Sequence, residues 1–300
     1  MIIWQFIKWR FGLGRAQRGD VPKYEPVYAT PNLDRIREPD PSKLHLTWIG
    51  HSTFLVQVAG MNILTDPIWS ERASPMRWLG PKREARPGIR FEDLPHIDVV
   101  LVSHTHYDHL DRSTILKLGE APSYLVPERV GKWFRSEGIE NVKELPWWKS
   151  TEIGPLKISA VPAKHWSRRR FFGEETAGWG GYVVQTPVAT LYFAGDTGYH
   201  ERYFKDIGVK FPHIDLALIP IGAYFPREVF GRYHVDPREA IQVHREVGAK
   251  SSVGMHWGVF RLTQEPLHEP PKLLAKEREK TGVAEESFST MLLGETRVFG

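Results

Sequence analysis

Four side chains able to ligate a metal, His104, His106, Asp108 and His109, fall within six residues, directly after an apolar, β-branched run at residues 99–102. That run has the composition of a strand buried inside an α/β sheet. A helix would turn His104 and His106 about 200° apart, at about 100° per residue. An extended strand end puts them on one face, because side chains alternate there with period two. Asp108 and His109 follow in the turn and can swing to an adjacent position. Imidazole nitrogen and carboxylate oxygen gathered at the C-terminal mouth of a strand suit zinc or a similar divalent metal.

The rest of the chain follows the same plan. Further strands are expected at residues 44–49, 54–58, 61–65, 123–126, 157–161, 181–185, 190–193, 216–220 and 252–255. Helices are expected at 112–118 behind an Asp111 N-cap, near 128–136, at 237–247, and at 271–281 before Gly282. Asp236, Pro237 and Glu239 carry the third of these in the order N-cap, first turn and capping box. Strands alternating with helices predict one α/β domain. Apolar strands end in His51, Asp66, His104, His165, Asp196 and His256, so polar residues converge on one rim held by rigid elements. The connection 68–95, with six prolines or glycines and many basic residues, is long enough to cover a site.

Residues 1–43 read as an N-terminal extension. Its first 13 residues mix Trp, Phe and Ile with Lys8 and Arg10, and can form a short helix that lies in a membrane interface or packs on protein. Residues 14–43, with five prolines, read as an extended lead-in. The chain has no cysteine, which excludes disulfides and thiolate metal sites. No apolar run reaches the ~18–20 residues of a bilayer span, and no signal peptide is evident. The expected location is cytoplasmic, peripheral at the inner membrane surface if residues 1–13 bind lipid. A net charge of +4 permits a phosphate-bearing partner but lacks the basic track of a nucleic-acid binder, so no nucleic acid is expected. Nothing in the sequence fixes an oligomeric state.

His104-x-His106-x-Asp108-His109, then His165, Gly195-Asp196 and His256 in that order, resemble the ligand set of the metallo-β-lactamase superfamily. The resemblance implies a four-layer αββα sandwich, an α/β fold with a dinuclear metal site at one edge, for residues 44–300 as the catalytic domain. It further implies one metal on His104, His106 and His165, another on Asp108, His109 and His256, and Asp196 bridging them. Two divalent ions are then the cofactors, zinc first, with iron or manganese admitted by the same donors.

A closer resemblance is to the N-acyl-phosphatidylethanolamine-hydrolysing phospholipases D and their bacterial relatives. It rests on Trp48-Ile49-Gly50-His51-Ser52-Thr53, Thr65-Asp66-Pro67-Ile68, His165-Trp166-Ser167, Ala194-Gly195-Asp196-Thr197-Gly198-Tyr199, Gly222-Ala223-Tyr224, His234-Val235-Asp236-Pro237 and Met255-His256-Trp257-Gly258.

Two cations sharing a carboxylate and a water lower the pKa of that water towards neutrality. The resulting hydroxide attacks the phosphorus of a phosphodiester, or the carbonyl carbon of a lactone or amide. Asp66 is expected behind a ligand, accepting an imidazole N–H and fixing its tautomer. Asp108, beside its ligand role, His234 and His51 are the candidate catalytic residues. The two histidines would contact substrate or deliver a proton to the leaving oxygen. His234 is favoured, since it stands just before a helix N-terminus, a position that suits a phosphate. Tyr224, Trp257 and Phe260 are candidates for an apolar acyl groove. Arg168, in the basic cluster 164–170, is the candidate for phosphate, although that cluster reads equally as a solvated loop. His45, His96, His200, His213, His244 and His268 are read as structural or exposed.

The expected activity is a phospholipase D-type phosphodiesterase on N-acyl-phosphatidylethanolamine-like lipids, releasing phosphatidate and an N-acylethanolamine. The alternative is a lactonase or other hydrolase on a small molecule, with a nuclease behind it. The complete ligand set argues against a non-catalytic metal scaffold.

Overall fold

The computed structural model describes residues 24–169 and 177–300. The expected helix within 1–13, and Arg170 of the basic cluster, lie outside the described residues. Six strands in succession open a first sheet: β1 (Leu44–Gly50), β2 (Thr53–Val58), β3 (Met61–Thr65), β4 (Val99–Leu101), β5 (Ser123–Val126) and β6 (Val142–Glu144). Seven more make the second: β7 (Ser150–Ile153), β8 (Leu156–Val161), β9 (Gly181–Gln185), β10 (Thr190–Phe193), β11 (Leu216–Pro220), β12 (Ser251–Met255) and β13 (Phe288–Ser289). The chain then returns to the first sheet, where β14 (Thr296–Phe299) pairs with β1.

The spatial orders are β14-β1-β2-β3-β4-β5-β6 and β13-β12-β11-β10-β9-β8-β7. Each sheet joins an antiparallel meander to a parallel set, the change falling at β3–β4 in one and at β10–β11 in the other. The order of pairing is therefore repeated, although no repeat is visible in the residues.

Alternation explains why β1 and β2 are buried along their whole length. Leu46, Trp48, Phe54 and Val56 face the other sheet, with Tyr182, Leu191 and Phe193. Ile49, Leu55, Leu64, Val100 and Val102 face outward and pack under Ile115, Val130 and Phe134. These last belong to the helical segments Arg112–Leu118 and Gly131–Ser136 and their edges. On the second sheet, Phe204, Ile207, Ala240 and Val243 from helices Tyr203–Lys210 and Pro237–Glu246 complete the cover. Two sheets between two helical layers make the αββα sandwich. Each fully buried Leu, Ile or Phe adds about 1.5–3 kcal/mol.

Asp111 caps Arg112–Leu118 by accepting from the Ser113 N–H. Asp236 and Glu239 form the expected capping box, with Pro237 at the first helical position. The lead-in holds a helical turn, Leu33–Arg37, whose Ile36 is fully buried. The last helix starts slightly earlier than expected, at Glu269, and ends on left-handed Gly282.

Candidate metal centre

Strand ends deliver the polar residues to one edge of the sandwich. After β4 the chain tightens, with the N–H groups of His109 and Leu110 both donating to the His106 carbonyl, at 3.1 and 2.9 Å. That turn brings Asp108 and His109 round beside the pair His104 and His106. From the other sheet, β10 ends in Gly195, left-handed at φ +60°, and Asp196. A Cβ at Gly195 would stand 2.6 Å from the Ser103 Cβ, so the two loops meet only because the position is glycine. His51, Asp66 and His256 are non-glycine residues at positive φ, of +57°, +33° and +61°. Such backbone strain is typical of positions held by function.

Two groups of donors form. In the first, Nε2 of His104 lies 2.8 Å from Nδ1 of His106, and Nε2 of His165 lies 3.3 Å from the same nitrogen. In the second, Oδ2 of Asp108 faces Nε2 of His109 at 3.4 Å, Nε2 of His256 at 3.5 Å and Nε2 of His51 at 3.0 Å. Asp196 stands between them. Its Oδ2 is 3.1 Å from His109 and His256, and 3.8 and 3.9 Å from His104 and His165.

The rings are oriented from behind. Asp66 is fully buried and accepts from the Ser103 N–H at 2.7 Å, the Ser103 hydroxyl at 2.5 Å and Nδ1–H of His109 at 2.6 Å. Because the Ser103 hydroxyl donates to Asp66, it accepts from Nδ1–H of His104 at 2.9 Å. His165 Nδ1–H donates to the Tyr233 carbonyl at 3.1 Å. Each contact puts the proton on Nδ1 and turns the Nε2 lone pair into the centre, as metal ligation requires.

Electrostatics follow from burial. Desolvation pushes His106 down to about 3 and His165 to about 4, and holds His104 well below its usual range, so these rings are neutral at pH 7. Burial also opposes charge on His109 and His256, but Asp196 and Asp108 outweigh it, raising His256 to about 9 and His109 well above its usual range. Desolvation alone would raise the two carboxyls, yet the facing imidazoles, His109 foremost, hold both well below theirs. Several buried atoms have no hydrogen-bond partner, among them Nε2 of His109, both ring nitrogens of His256 and Oδ1 of Asp196. Orphaned donors and acceptors crowded this closely are costly unless a cation takes the lone pairs. The residues present fit divalent metal.

A cavity of about 360 Å³ opens on this face, lined at its base by His106, Asp108, Asp196 and His234. One wall is the 68–95 connection, through Ala73–Met76 and Leu79–Pro81; the other is Val229, Phe230 and Leu262, with Arg168 and Arg232 also lining it. His234 sits with Nδ1 3.8 Å from Oδ2 of Asp196, and Arg227 donates to its carbonyl at 2.9 Å. His51 lies elsewhere: its side chain is buried behind Asp108 and does not line the cavity.

Three expected groove residues also sit away from it, as core. Tyr224 is 4% exposed with its hydroxyl on Glu269 at 2.8 Å, Trp257 stacks on Trp48 at 5.0 Å, and Phe260 lies under the Arg83 guanidinium at 4.7 Å. The basic cluster divides as well. Arg168 reaches the cavity, whereas Arg169 turns inward between Tyr107 and Trp133 and donates to the carbonyls of Thr105 and Leu110. Sequence reasoning missed Arg169 in that role. It also missed Glu265, whose buried carboxylate accepts from the N–H groups of Ala223 at 2.6 Å and Phe225 at 3.1 Å.

Comparison with known proteins gives the family and the fold. A family model described as "Beta-lactamase superfamily domain" matches residues 61–257. The N-acyl-phosphatidylethanolamine-hydrolyzing phospholipase D 1 of Caenorhabditis elegans is 37% identical over 268 residues, covering 85% of this chain and 75% of that protein. A UPF0173 metal-dependent hydrolase of Methanopyrus kandleri is 32% identical over 80% of this chain and 94% of its own length. In fold, the chain is similar to the metallo hydrolase Igni18 of Ignicoccus hospitalis, with a TM-score of 0.65 at 22% identity, over 86% of this chain and 99% of that one. No helix among the described residues is long and apolar enough to cross a membrane.

Proposed function

The chain belongs to the metallo-β-lactamase superfamily and is a metal-dependent hydrolase, and from that premise we propose a phosphodiesterase of phospholipase D type acting on N-acyl-phosphatidylethanolamine-like lipids. In this reading residues 44–300 are the catalytic unit and residues 1–43 its extension. His104, His106 and His165 would hold one divalent cation and Asp108, His109 and His256 another, with Asp196 within reach of both groups. Zinc suits this set of nitrogen and carboxylate donors, and iron or manganese are compatible with it. When bound, such a pair supplies an activated water and neutralises charge on phosphoryl oxygens.

The chain's own residues do the rest. His234, at the base of the cavity with Nδ1 unpartnered and held neutral by burial, contacts the substrate through an imidazole N–H hydrogen bond rather than as a charged acid. Arg227 fixes its backbone. Arg168 and Arg232 hold the phosphodiester, since guanidinium groups match phosphate oxygens bidentately. Pro75, Met76, Leu79, Val229, Phe230 and Leu262 offer an acyl chain an apolar wall and keep water from it.

One observation carries the reading: a single cavity joins the candidate metal face, two arginines and an apolar wall, a lining that suits a phosphodiester carrying an acyl chain. Similarity to the C. elegans phospholipase supports it. The test is hydrolysis by metal-loaded protein of micellar N-acyl-phosphatidylethanolamine and of bis-p-nitrophenyl phosphate, against a panel of lactones. Turnover of both phosphodiesters is expected. Lactone turnover without phosphodiester turnover rejects the reading in favour of a lactonase.

A further inference from the structure

Trp78 is 74% exposed, and among the described residues it is the only Trp, Tyr or Phe with more than half its surface in water. It sits at the tip of the same connection that walls the cavity, between lining residues Met76 and Leu79, yet does not line the cavity itself. The tip is built rather than loose. Arg72 and Lys82 pair across its base, Ala73 N–H donates to the Pro81 carbonyl at 3.0 Å, and the Arg72 guanidinium donates to the Gly80 carbonyl at 2.7 Å. Gly80, at φ +95°, lies against Ser74, where a Cβ would come within 2.7 Å of the Ser74 Cβ. The fold thus holds an indole out into solvent at the rim of an apolar cavity.

Cationic side chains flank it. Arg77 beside it and Arg232 on the facing wall are both exposed, and Glu228 is the only exposed acid among the cavity's lining residues. An amphipathic indole next to arginines matches the headgroup level of an anionic bilayer. A scattered exposed apolar residue needs no explanation; one held on a hydrogen-bonded base beside a cavity mouth does.

We propose that the Trp78 tip docks the protein on an anionic phospholipid surface with the cavity mouth turned towards it. The choice of occupant rests on the lipid-hydrolase reading. Docking in this pose lets a substrate lipid slide from the bilayer along Pro75, Met76 and Leu79 to the metal face without crossing water.

The absence of cysteine makes the test direct. Full-length Trp78→Cys, labelled with a polarity-sensitive fluorophore, is mixed with vesicles of phosphatidylcholine and phosphatidylglycerol. A blue shift is expected there, and none at a Val209→Cys control on helix Tyr203–Lys210. Trp78→Ser should weaken vesicle co-sedimentation about tenfold, the scale of losing one buried aromatic contact. It should slow hydrolysis of vesicle-borne lipid to match, leaving bis-p-nitrophenyl phosphate turnover unchanged. No shift at position 78, or unchanged co-sedimentation of Trp78→Ser, overturns the proposal. A change in oligomeric mass of Trp78→Ser in lipid-free solution gives the tip to a second copy instead. The binding arms read docking alone, so failure to hydrolyse any phosphodiester would reject the proposed activity without touching them.

Discussion

Nε2 of His51 stands 3.0 Å from Oδ2 of Asp108, on the same oxygen that faces His109 and His256. The His51 ring is buried, and its Nδ1 has no partner. A proton on Nε2 leaves only a bare acceptor buried, the less costly arrangement, so His51 donates to Asp108. His51 is therefore a positioning residue for a proposed ligand. His51→Ala should weaken retention of one of two cations about 10- to 100-fold and spare the other. Metal stoichiometry after chelator competition checks this, and two equally retained ions would reject it.

Asp196 is the carboxylate that both groups of imidazoles face. Asp196→Asn replaces an oxygen lone pair with an amide that cannot serve two cations. Hydrolysis should fall below detection and metal content below two equivalents, with the far-ultraviolet circular dichroism unchanged. Wild-type turnover in this variant would remove Asp196 from its bridging role.

Metal uptake should release protons. In metal-free protein His256 titrates near 9 and His109 well above its usual range, so both are charged at pH 7, while His104, His106 and His165 are already neutral. Ligation needs neutral rings, so about two protons leave per protein at pH 7. The number should fall, and apparent affinity rise, as pH climbs through 9. Calorimetry in buffers of different ionisation enthalpy measures it; zero release at pH 7 contradicts it.

Arg169 clamps the ligand loop from inside, with burial pushing its guanidinium down to about 10. Arg169→Ala strips two carbonyls of a charged donor and should cost about 3 kcal/mol. Urea unfolding of the metal-loaded protein checks that figure, and a loss under 1 kcal/mol would make the clamp incidental.

The gathering of His and Asp at one edge was legible because its signal is local: His104 and His106 alternate on an extended chain, Asp108 and His109 follow in the next turn, and His165, Asp196 and His256 each come after an apolar strand. The cavity was not. Its walls come from connections without periodicity, and an aromatic residue looks the same whether it lines a groove or fills a core. Partners distant in sequence decide: Glu269 takes the Tyr224 hydroxyl, and Trp48 takes the face of Trp257. Helix Tyr203–Lys210 was hidden by Gly208, a poor helix former, which fits because a Cβ there would meet the Glu246 carbonyl at 2.4 Å. Glu265 reads as an ordinary surface acid until three backbone N–H groups are seen to converge on it.

The repeated order of strand pairing has a consequence for durability. His104, His106, Asp108 and His109 leave the first sheet; His165, Asp196 and His256 leave the second. On the proposed assignment every cation draws on both, so the ions rivet the two halves along their shared seam. Parting the halves means losing both ions, and resistance to unfolding climbs with the logarithm of free metal, counted once per ion. The stability of the folded chain becomes a gauge of the metal supply around it.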